Sequence, residues 1–211
     1  MITLYGYPRT RSLRVSWLLE ELGLEWQYHL IDFAKGEHKS ADYLAICPQG
    51  KVPALKDDET TLTESAAICL YLAEKYGKHW LPKPATPQAA KQLEWVSFII
   101  TELEQPLWSM GKHRFALPKQ IRLPEMISVA KWEFKKAAQT AEKWLPDTEF
   151  LAGQFPSVAD ILLTHTLNWA VKFDQKLPPR LETYRQHMSR RPALLRALNQ
   201  EQQALADNTQ R

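Results

Sequence analysis

The apolar positions of the first 80 residues predict short strands that alternate with helices. Short runs of aromatic and branched residues indicate strands, and apolar residues that recur every three or four positions indicate helices. In chain order the pattern predicts a strand over 1–6, a helix around 15–22, a strand over 26–33, a short helix over 40–47, a hairpin over 52–63 and a helix around 66–73. This order is βαβ followed by αββα, and the two strands joined by the first helix are expected to be parallel.

A proline-rich segment divides the chain. Pro82, Pro84 and Pro87 stand close together, and proline both restricts φ and removes the backbone N–H that regular structure uses. We therefore predict a linker over 79–87, which separates a first domain over 1–78 from a second domain over 88–211.

Beyond this linker the apolar pattern is almost entirely helical. Two long seams, Leu93 to Leu107 and Ile127 to Leu145, alternate apolar spacings of three and four. Helices with matching seams pack side by side as in a bundle. Shorter helices are predicted over 157–171, 180–190 and 192–205. The predicted fold class is α/β plus all-α, with a mixed first domain and an all-helical second domain.

Composition supports this division. The 211 residues include 7 glycines, 14 prolines and 8 tryptophans. Because glycine is costly in helices and common in turns, its low count favours helix and argues against a turn-rich all-β sandwich. Most of the tryptophans follow the linker, and we expect them in the core of the helical domain.

Charge and cysteine content limit the cellular compartment and the classes of binding partner that we expect. The formal net charge of +3 is too small to indicate binding to nucleic acid. No apolar run approaches the roughly 20 residues of a membrane span, and residues 1–7 lack the pattern of a signal peptide. Cys47 and Cys69 form no CxxC pair, and no histidines have metal-binding spacing. We expect a cytoplasmic protein that binds no metal, nucleic acid or membrane.

The turn after the first strand, Tyr7-Pro8-Arg9-Thr10-Arg11-Ser12, is a candidate for chemistry. A helix N-terminus exposes unpaired N–H groups and a partial positive charge, which attract anions such as a thiolate. A hydroxyl of Thr10 or Ser12 could donate to that sulfur and lower the thiol pKa from about 8.5, which yields the nucleophilic form. The alternative is that either residue only caps the helix, and on this segment alone capping is the more common role.

One further segment carries candidate binding residues and another carries a structural residue. Ser65 opens a predicted helix, where its hydroxyl and the N–H groups could hold a carboxylate, while Glu64 could accept from an ammonium group. A plain helix cap is the alternative for this pair. Ser157 and Asp160 have the spacing of a capping box, so we interpret Asp160 as structural.

With these segments the chain resembles the cytosolic glutathione transferase family over nearly its whole length. The first turn resembles the Ser-Arg-Ser-x-Arg turn of many bacterial members, with Thr10 in place of the first serine. Thr10 also lies four residues before Arg14, as in delta- and theta-like members that use serine. Residues 47–55 resemble the Asn-Pro-x-Gly-Lys-Val-Pro-x-Leu segment, 64–68 resemble Glu-Ser-x-Ala-Ile, and 153–160 resemble Gly-x-x-x-Ser-x-Ala-Asp.

The resemblance implies a thioredoxin-like first domain that binds glutathione through named residues. A cis Val52–Pro53 bond would present the valine backbone to the cysteinyl part, although an X–Pro bond is by itself far more often trans. Glu64 and Ser65 would bind the γ-glutamyl end. The residues implied for the glycine end are His38, Gln49 and Lys51. A surface histidine and a solvated turn lysine are the alternatives for His38 and Lys51.

The resemblance also implies a function. The protein is expected to be a glutathione S-transferase that activates glutathione as a thiolate for attack on a hydrophobic electrophile, to serve detoxification and to form a homodimer. Thr10 is the first candidate to contact the thiol, Ser12 the second and Tyr5 the third, because other branches use a tyrosine near that position. A strand aromatic that packs on the sheet is the alternative for Tyr5 and for Tyr7. A hydrophobic pocket is expected in the helical domain, with Trp108, His113 and Phe115 as candidate lining residues.

Several other activities on the same fold stay open. Glutathione-dependent disulfide reduction or peroxide reduction is one alternative, although the turn lacks the cysteine of a dithiol mechanism. A zeta-like isomerase is disfavoured because its Ser-Ser-Cys turn is absent. A non-catalytic interaction protein, as in the stringent-starvation regulators, is the other alternative. The presence of Lys51, Pro53, Glu64 and Ser65 argues against it.

Overall fold

The computed structural model describes residues 1–209, which form two compact units. The first unit combines Met1–Leu81 with the segment from Arg190 onward, and the second unit is Pro82–Ser189. None of the helices within residues 1–209 has the length and apolar character that crossing a bilayer requires.

The first unit is built on a four-stranded sheet. In chain order its strands are β1 (Ile2–Gly6), β2 (Trp26–Leu30), β3 (Ala54–Asp57) and β4 (Thr60–Thr63). Their spatial order is β2-β1-β3-β4, with β1 parallel to β2 and the other two pairs antiparallel. Leu4 in β1 lies opposite Tyr28 in β2 and Leu55 in β3. The predicted parallel pair and the predicted hairpin are both confirmed.

Three helices connect these strands. They are α1 (Ser12–Leu22), α2 (Ala41–Ile46) and α3 (Ser65–Tyr76). Gly23 ends α1 in the left-handed conformation (φ 63°), which glycine adopts without a steric penalty. The core of the unit consists of fully buried apolar side chains from the sheet, α1 and α3: Leu4, Leu55, Val15, Leu18, Leu19, Ile68 and Leu72. The predicted order βαβ–αββα is confirmed.

The last helix packs in the first unit rather than among the other helices of the second half. Helix α9 (Pro192–Thr209) buries Leu194 and Ala197 and packs along α1. The sequence placed the whole of 88–211 in one helical domain, so the observed grouping differs from that boundary. The apolar periodicity of α9 indicated a helix with a buried face, but it carried no information about which neighbour covers that face.

The second unit contains five α-helices within its described residues. They are α4 (Pro87–Phe98), α5 (Glu104–Gly111), α6 (Glu125–Trp144), α7 (Val158–Lys172) and α8 (Pro179–Met188). Thr86 caps α4 by accepting a hydrogen bond from the Ala89 N–H (3.3 Å), and Pro87 follows as the first helical residue. The helices predicted over 157–171, 180–190 and 192–205 are confirmed.

A π-helical turn changes the seam predicted over 93–107. The turn Ile99–Leu103 separates α4 from α5, and its wider winding shifts the buried face. The buried apolar residues therefore recur every four positions, at Trp95, Ile99, Leu103 and Leu107. Leu93, which the sequence placed on this seam, is 55% exposed. Uninterrupted α6 keeps its predicted seam, with Ala130, Phe134, Ala137 and Ala141 all buried.

Tryptophan burial follows the expected pattern only in part. Trp95 is fully buried in the second unit, whereas Trp144 is partly exposed and Trp132 is 64% exposed. The prediction that the tryptophans fill the helical core is therefore wrong for Trp132, which lies on an outer face of α6.

Candidate active site

The turn between β1 and α1 brings Thr10 and Ser12 together. Thr10 Oγ1 lies 2.6 Å from the Tyr7 carbonyl oxygen and 2.9 Å from Ser12 Oγ, so its single proton can be donated to either oxygen. Arg9 adopts the left-handed conformation (φ 64°), which bends the chain sharply before the helix. Ser12 is fully buried and Thr10 is partly exposed. Of the two residues, Thr10 is therefore the one that a molecule outside the turn can reach.

The hydrogen bonds of this turn combine capping with the capacity to donate. Arg11 occupies the N-cap position of α1 without a side-chain capping hydrogen bond. Thr10 Oγ1 instead accepts from the Ser12 N–H (3.2 Å), and Ser12 Oγ accepts from the Tyr7 N–H (3.3 Å). Accepting uses a lone pair of Thr10 Oγ1, while its proton is donated to the Tyr7 carbonyl oxygen or to Ser12 Oγ. The capping interpretation and the chemical interpretation are compatible when a bound sulfur replaces one of these two acceptors.

The two tyrosines near the turn pack against other rings. The Tyr5 ring lies 5.0 Å from that of His29 and 6.1 Å from that of Tyr43, in tilted geometry. The Tyr7 ring meets Phe33 edge-on at 5.2 Å. These contacts match the alternative in which strand aromatics pack on the sheet.

The segment around Pro53 carries a second group of candidate residues in the first unit. The Val52–Pro53 bond is cis, as the resemblance implied. The Tyr43 hydroxyl donates to the Lys51 carbonyl oxygen (2.6 Å), while the Lys51 side chain is exposed. Gly50 is left-handed (φ 60°), and a Cβ there would stand 2.7 Å from the His38 carbonyl oxygen. This close approach brings His38 next to the segment that carries Gln49 and Lys51.

His38 has an unused polar atom. Within the described part of the chain, its Nδ1 is buried and has no hydrogen-bond partner. The ring also packs against Phe33 at 4.8 Å. A buried nitrogen without a partner is costly, so a ligand group that hydrogen-bonds to it would remove that cost.

The third group of candidate residues lies at the N-terminus of α3. Ser65 is its first residue and is 5% exposed, and Ser65 Oγ accepts from Arg14 Nη1 (3.2 Å). Glu64 precedes it in a strained left-handed conformation (φ 67°, ψ 108°), of a kind that clusters at functional sites. Glu64, not Ser65, takes the N-cap position, and it makes no side-chain capping bond. The site therefore offers a helix N-terminus, a buried guanidinium and an exposed carboxylate side by side.

Arg14 was not identified as a site residue by the sequence. It is 1% exposed, although it stands on α1 among apolar neighbours. An arginine at an otherwise apolar helical position is a signal of a buried polar partner, but only the packing of α1 against α3 identifies that partner as Ser65.

Neither cysteine is available as a nucleophile. Burial raises the pKa of the Cys69 thiol to about 12, and the opposing charge of Arg14 is not enough to restore it. Cys69 lies in the core as predicted, and Cys47 is only 1% exposed. Both are free thiols.

The remaining predicted residues lie in the second unit. Asp160 is fully buried and accepts from the Ser157 N–H and hydroxyl, the Leu151 N–H and the Tyr184 hydroxyl (2.5–2.9 Å), which completes the predicted capping box. A surface cavity of about 430 Å³ in this unit is lined by Phe98, Thr101, Trp132, Lys136 and neighbouring residues, and not by Trp108, His113 or Phe115. Phe115 is 60% exposed.

Two family profiles match this chain. The family profile "Glutathione S-transferase, N-terminal domain" matches residues 1–74, and "Glutathione S-transferase, C-terminal domain" matches 105–192. Glutathione S-transferase GstA of Escherichia coli O157:H7 is 30% identical over 203 residues, which cover 94% of this chain and 98% of that protein. The chain belongs to the glutathione S-transferase family.

Other relatives of this transferase-family chain differ in coverage and in name. Glutathione S-transferase theta-1 of Rattus norvegicus is 36% identical over 146 residues, which are 66% of this chain but only 60% of the rat protein. Disulfide-bond oxidoreductase YfcG of Escherichia coli K12 is 29% identical over 207 residues and 94% of each chain. Among solved structures, glutathione transferase URE2P8 of Phanerochaete chrysosporium with oxidized glutathione has a TM-score of 0.85 at 25% identity, covering 97% of this chain and 96% of that one.

Proposed function

We propose that this protein is a glutathione S-transferase that activates glutathione as a thiolate for attack on a hydrophobic electrophile. The observation that carries the proposal is the partly exposed residue Thr10 in the turn before α1, with its hydroxyl oxygen 2.9 Å from that of the buried Ser12. A hydroxyl and the N–H groups of a helix N-terminus both favour the charged form of a sulfur placed there.

The reaction needs no further reagent. The thiol proton of glutathione leaves to solvent, and the thiolate accepts a hydrogen bond from the Thr10 hydroxyl. The sulfur then attacks the electrophilic carbon, a C–S bond forms, and the leaving group departs with its electron pair. Thr10 lowers the pKa of the bound thiol, which raises the fraction of nucleophile at neutral pH.

The other two groups of candidate residues would bind the rest of glutathione. Its γ-glutamyl carboxylate suits the N-terminus of α3 at Ser65, and its ammonium group suits the exposed Glu64. The backbone of Val52, presented by the cis bond to Pro53, would pair with the cysteinyl part. The glycine carboxylate would be bound by residues that converge on Gly50, namely His38, Gln49 and Lys51.

Ser12 is proposed to act through Thr10. Its side chain is fully buried, and its Oγ lies 2.9 Å from Thr10 Oγ1. Ser12 is therefore a positioning residue that orients the hydroxyl of Thr10, which itself meets the sulfur.

Substitution of Thr10 tests the assignment. Thr10→Ala removes the donor, so the pKa of bound glutathione should rise by about 1–2 units and the thiolate absorbance at neutral pH should fall, with glutathione affinity largely unchanged. Thr10→Ser keeps the hydroxyl and should retain the signal. An unchanged ultraviolet titration in Thr10→Ala would contradict the role of Thr10.

Parallel assays select the reaction class. Conjugation of chlorodinitrobenzene, reduction of a mixed disulfide and reduction of a peroxide are measured with glutathione under the same conditions. Activity in conjugation supports the transferase, whereas activity confined to disulfide reduction would place the protein with relatives such as YfcG. Failure to bind immobilised glutathione would instead favour the interaction protein.

We also propose a homodimer and a detoxifying role in the cytoplasm. Helix α6 carries Met126, Val129 and Trp132 at spacings of three, with 36%, 47% and 64% exposure. Apolar side chains spaced in this way share one face, and an exposed apolar stripe of this kind marks a protein contact. The two free, buried cysteines support a reducing compartment.

A further inference from the structure

The last helix α9 and Arg191, the residue just before it, contact the C-terminal end of α1. Arg191 binds the Glu21 carboxylate through Nε and Nη2 (2.5 and 2.8 Å). Arg196 binds the Glu20 carboxylate through Nε (2.7 Å). Both contacts lie about 12–14 Å along the helix from Ser12, at the end remote from the candidate active site.

Glu201 meets α1 near its other end. Its Oε1 accepts a hydrogen bond from Ser16 Oγ at 2.8 Å, and the two residues are 1% and 0% exposed. Ser16 stands one turn after Ser12, and its Oγ lies 3.4 Å from the Ser12 carbonyl oxygen. The last helix thus bonds to α1 one turn after Ser12, and the backbone of α1 carries this contact to the residue behind Thr10.

Tyr28 borders the same buried region from β2. A Cβ added to Gly6 would lie 2.8 Å from Tyr28 Oη and 2.9 Å from Ser12 Oγ, so both groups close on the end of β1. Burial raises the pKa of the Tyr28 phenol, and the charge of Glu201 raises it further. Glu201, Ser12 and Tyr28 therefore enclose the back of the turn from three different elements.

Docking of α9 does not by itself account for this carboxylate. A buried carboxylate costs several kcal/mol unless hydrogen bonds compensate it, and an apolar side chain would fill the position without that cost. Leu194, Ala197 and the two arginine contacts already hold α9 on α1. Nearly all of α9 also lies beyond the stretches that match the two family profiles.

We propose that Glu201 is a positioning residue for thiol activation, a role that rests on the proposed function. Its carboxylate holds Ser16 and thereby the first turn of α1, which keeps Ser12 against Thr10. Thr10 then presents its hydroxyl to the sulfur in the orientation that donates. Glu201 acts through these residues and does not touch glutathione.

Three substitutions separate this role from a general contribution to stability. Glu201→Leu keeps the volume but removes the acceptor, Glu201→Gln keeps an acceptor oxygen, and Arg196→Ala removes a contact between the same two helices at the remote end. Because misplacement of a catalytic group by about 1 Å can cost about 100-fold in rate, Glu201→Leu should lower kcat and the thiolate absorbance at pH 7 by about tenfold or more. Glu201→Gln and Arg196→Ala should both stay within about twofold of the wild type.

Ser16→Ala tests the same link without placing an apolar group at Glu201. It should reproduce the loss seen in Glu201→Leu, and it serves in place of that variant if Glu201→Leu does not fold. Backbone hydrogen exchange of the apo protein supplies a readout independent of chemistry. The Leu13 and Arg14 amides, which bond to the Thr10 and Arg11 carbonyls, should exchange faster in Ser16→Ala and unchanged in Arg196→Ala.

The outcomes distinguish the inference from the proposed function. A wild-type protein that binds glutathione without a thiolate signal contradicts the proposed function. A normal wild-type signal that survives in folded Glu201→Leu and in Ser16→Ala contradicts only the role of Glu201. An equal loss in Arg196→Ala would also overturn it, because helix docking alone would then explain the effect.

Discussion

Gly50 sets how closely the 47–53 segment approaches His38. Its left-handed backbone lets the 47–53 segment pass within van der Waals contact of residue 38, because no Cβ stands between them. The neighbouring candidates, His38 and Lys51, depend on this contact for their relative position. A family motif names the glycine, while the structure identifies what it approaches.

Gly50→Ala should weaken glutathione binding about tenfold, equivalent to about 1.4 kcal/mol, because the added Cβ would displace His38 from Lys51. Gly23→Ala is the matched control, since Gly23 is also left-handed (φ 63°) but a Cβ there would meet nothing within 4 Å. Both variants should lose about 1 kcal/mol of stability from backbone strain. Calorimetric titration with glutathione checks the difference, and equal affinities in the two variants would contradict it.

The contact between Arg14 and Ser65 could not be predicted from the sequence. Two motifs predict Thr10 and Ser65 as candidate site residues, because each stands in a short recognisable segment. Arg14 and Ser65 are 51 positions apart, and no local pattern predicts that their side chains meet. The chemistry of each residue was readable from the sequence, but their pairing was not.

At the scale of elements, β3 and α3 are joined through a buried carboxylate. Asp57 at the end of β3 accepts from Lys75 Nζ (2.7 Å) and from the hydroxyls of Tyr71 (2.8 Å) and Tyr76 (2.9 Å). Burial raises the pKa of Asp57, but the hydrogen bonds from Lys75, Tyr71 and Tyr76 together outweigh it, so the pKa lies below 3.8. The ionised form is therefore the one that stabilises the fold.

Asp57→Asn should cost about 2–3 kcal/mol of stability at neutral pH, because the charged acceptor of three donors is lost. Since the folded pKa is depressed, this contribution is present above the unfolded value of about 3.9 and is lost as pH falls through the folded value. The difference between wild type and variant should thus be constant above about pH 5 and shrink below pH 4. Urea unfolding over pH 3–7 measures it, with the exposed Glu59→Gln as the control. A difference that does not change with pH would refute the prediction.

The π-helical turn between α4 and α5 explains why one predicted seam was wrong. A regular α-helix repeats its buried face every 3.6 residues. The wider π-helical turn changes this spacing, so that every fourth residue is buried here. Leu93 follows the regular period but is exposed, whereas Trp95 follows the four-residue spacing and is buried. Helix α6, which has no such turn, followed its predicted pattern because the assumed geometry was correct there.

At the scale of the molecule, exposed apolar side chains point to a partner. On α6, the apolar side chains of Met126, Val129 and Trp132 form a stripe. Each of them is at least 36% exposed among the described residues. Single exposed apolar residues are ordinary, but a stripe at helical spacing is an expected contact surface.

Trp132→Glu should convert the dimer into a monomer, because it places a charge at the most exposed aromatic of this stripe. Phe155→Glu is the matched control, as Phe155 is an exposed aromatic (75%) in the segment before α7. Light scattering coupled to size-exclusion chromatography measures both masses. A monomeric wild type, or a dimeric Trp132→Glu, would argue against this surface.

The sequence by itself determined the elements, their order and the candidate residues around Thr10, Lys51 and Ser65. These features depend on local chemistry, such as side-chain periodicity, the conformational limits of glycine and proline, and hydroxyls at helix starts. Only the tertiary structure decided that α9 joins the first unit, that Arg14 meets Ser65, and that Glu201 lies behind the turn, bonded to a serine 185 positions away. Such contacts arise when whole helices pack, and packing depends on the shape and charge of both surfaces rather than on either segment alone.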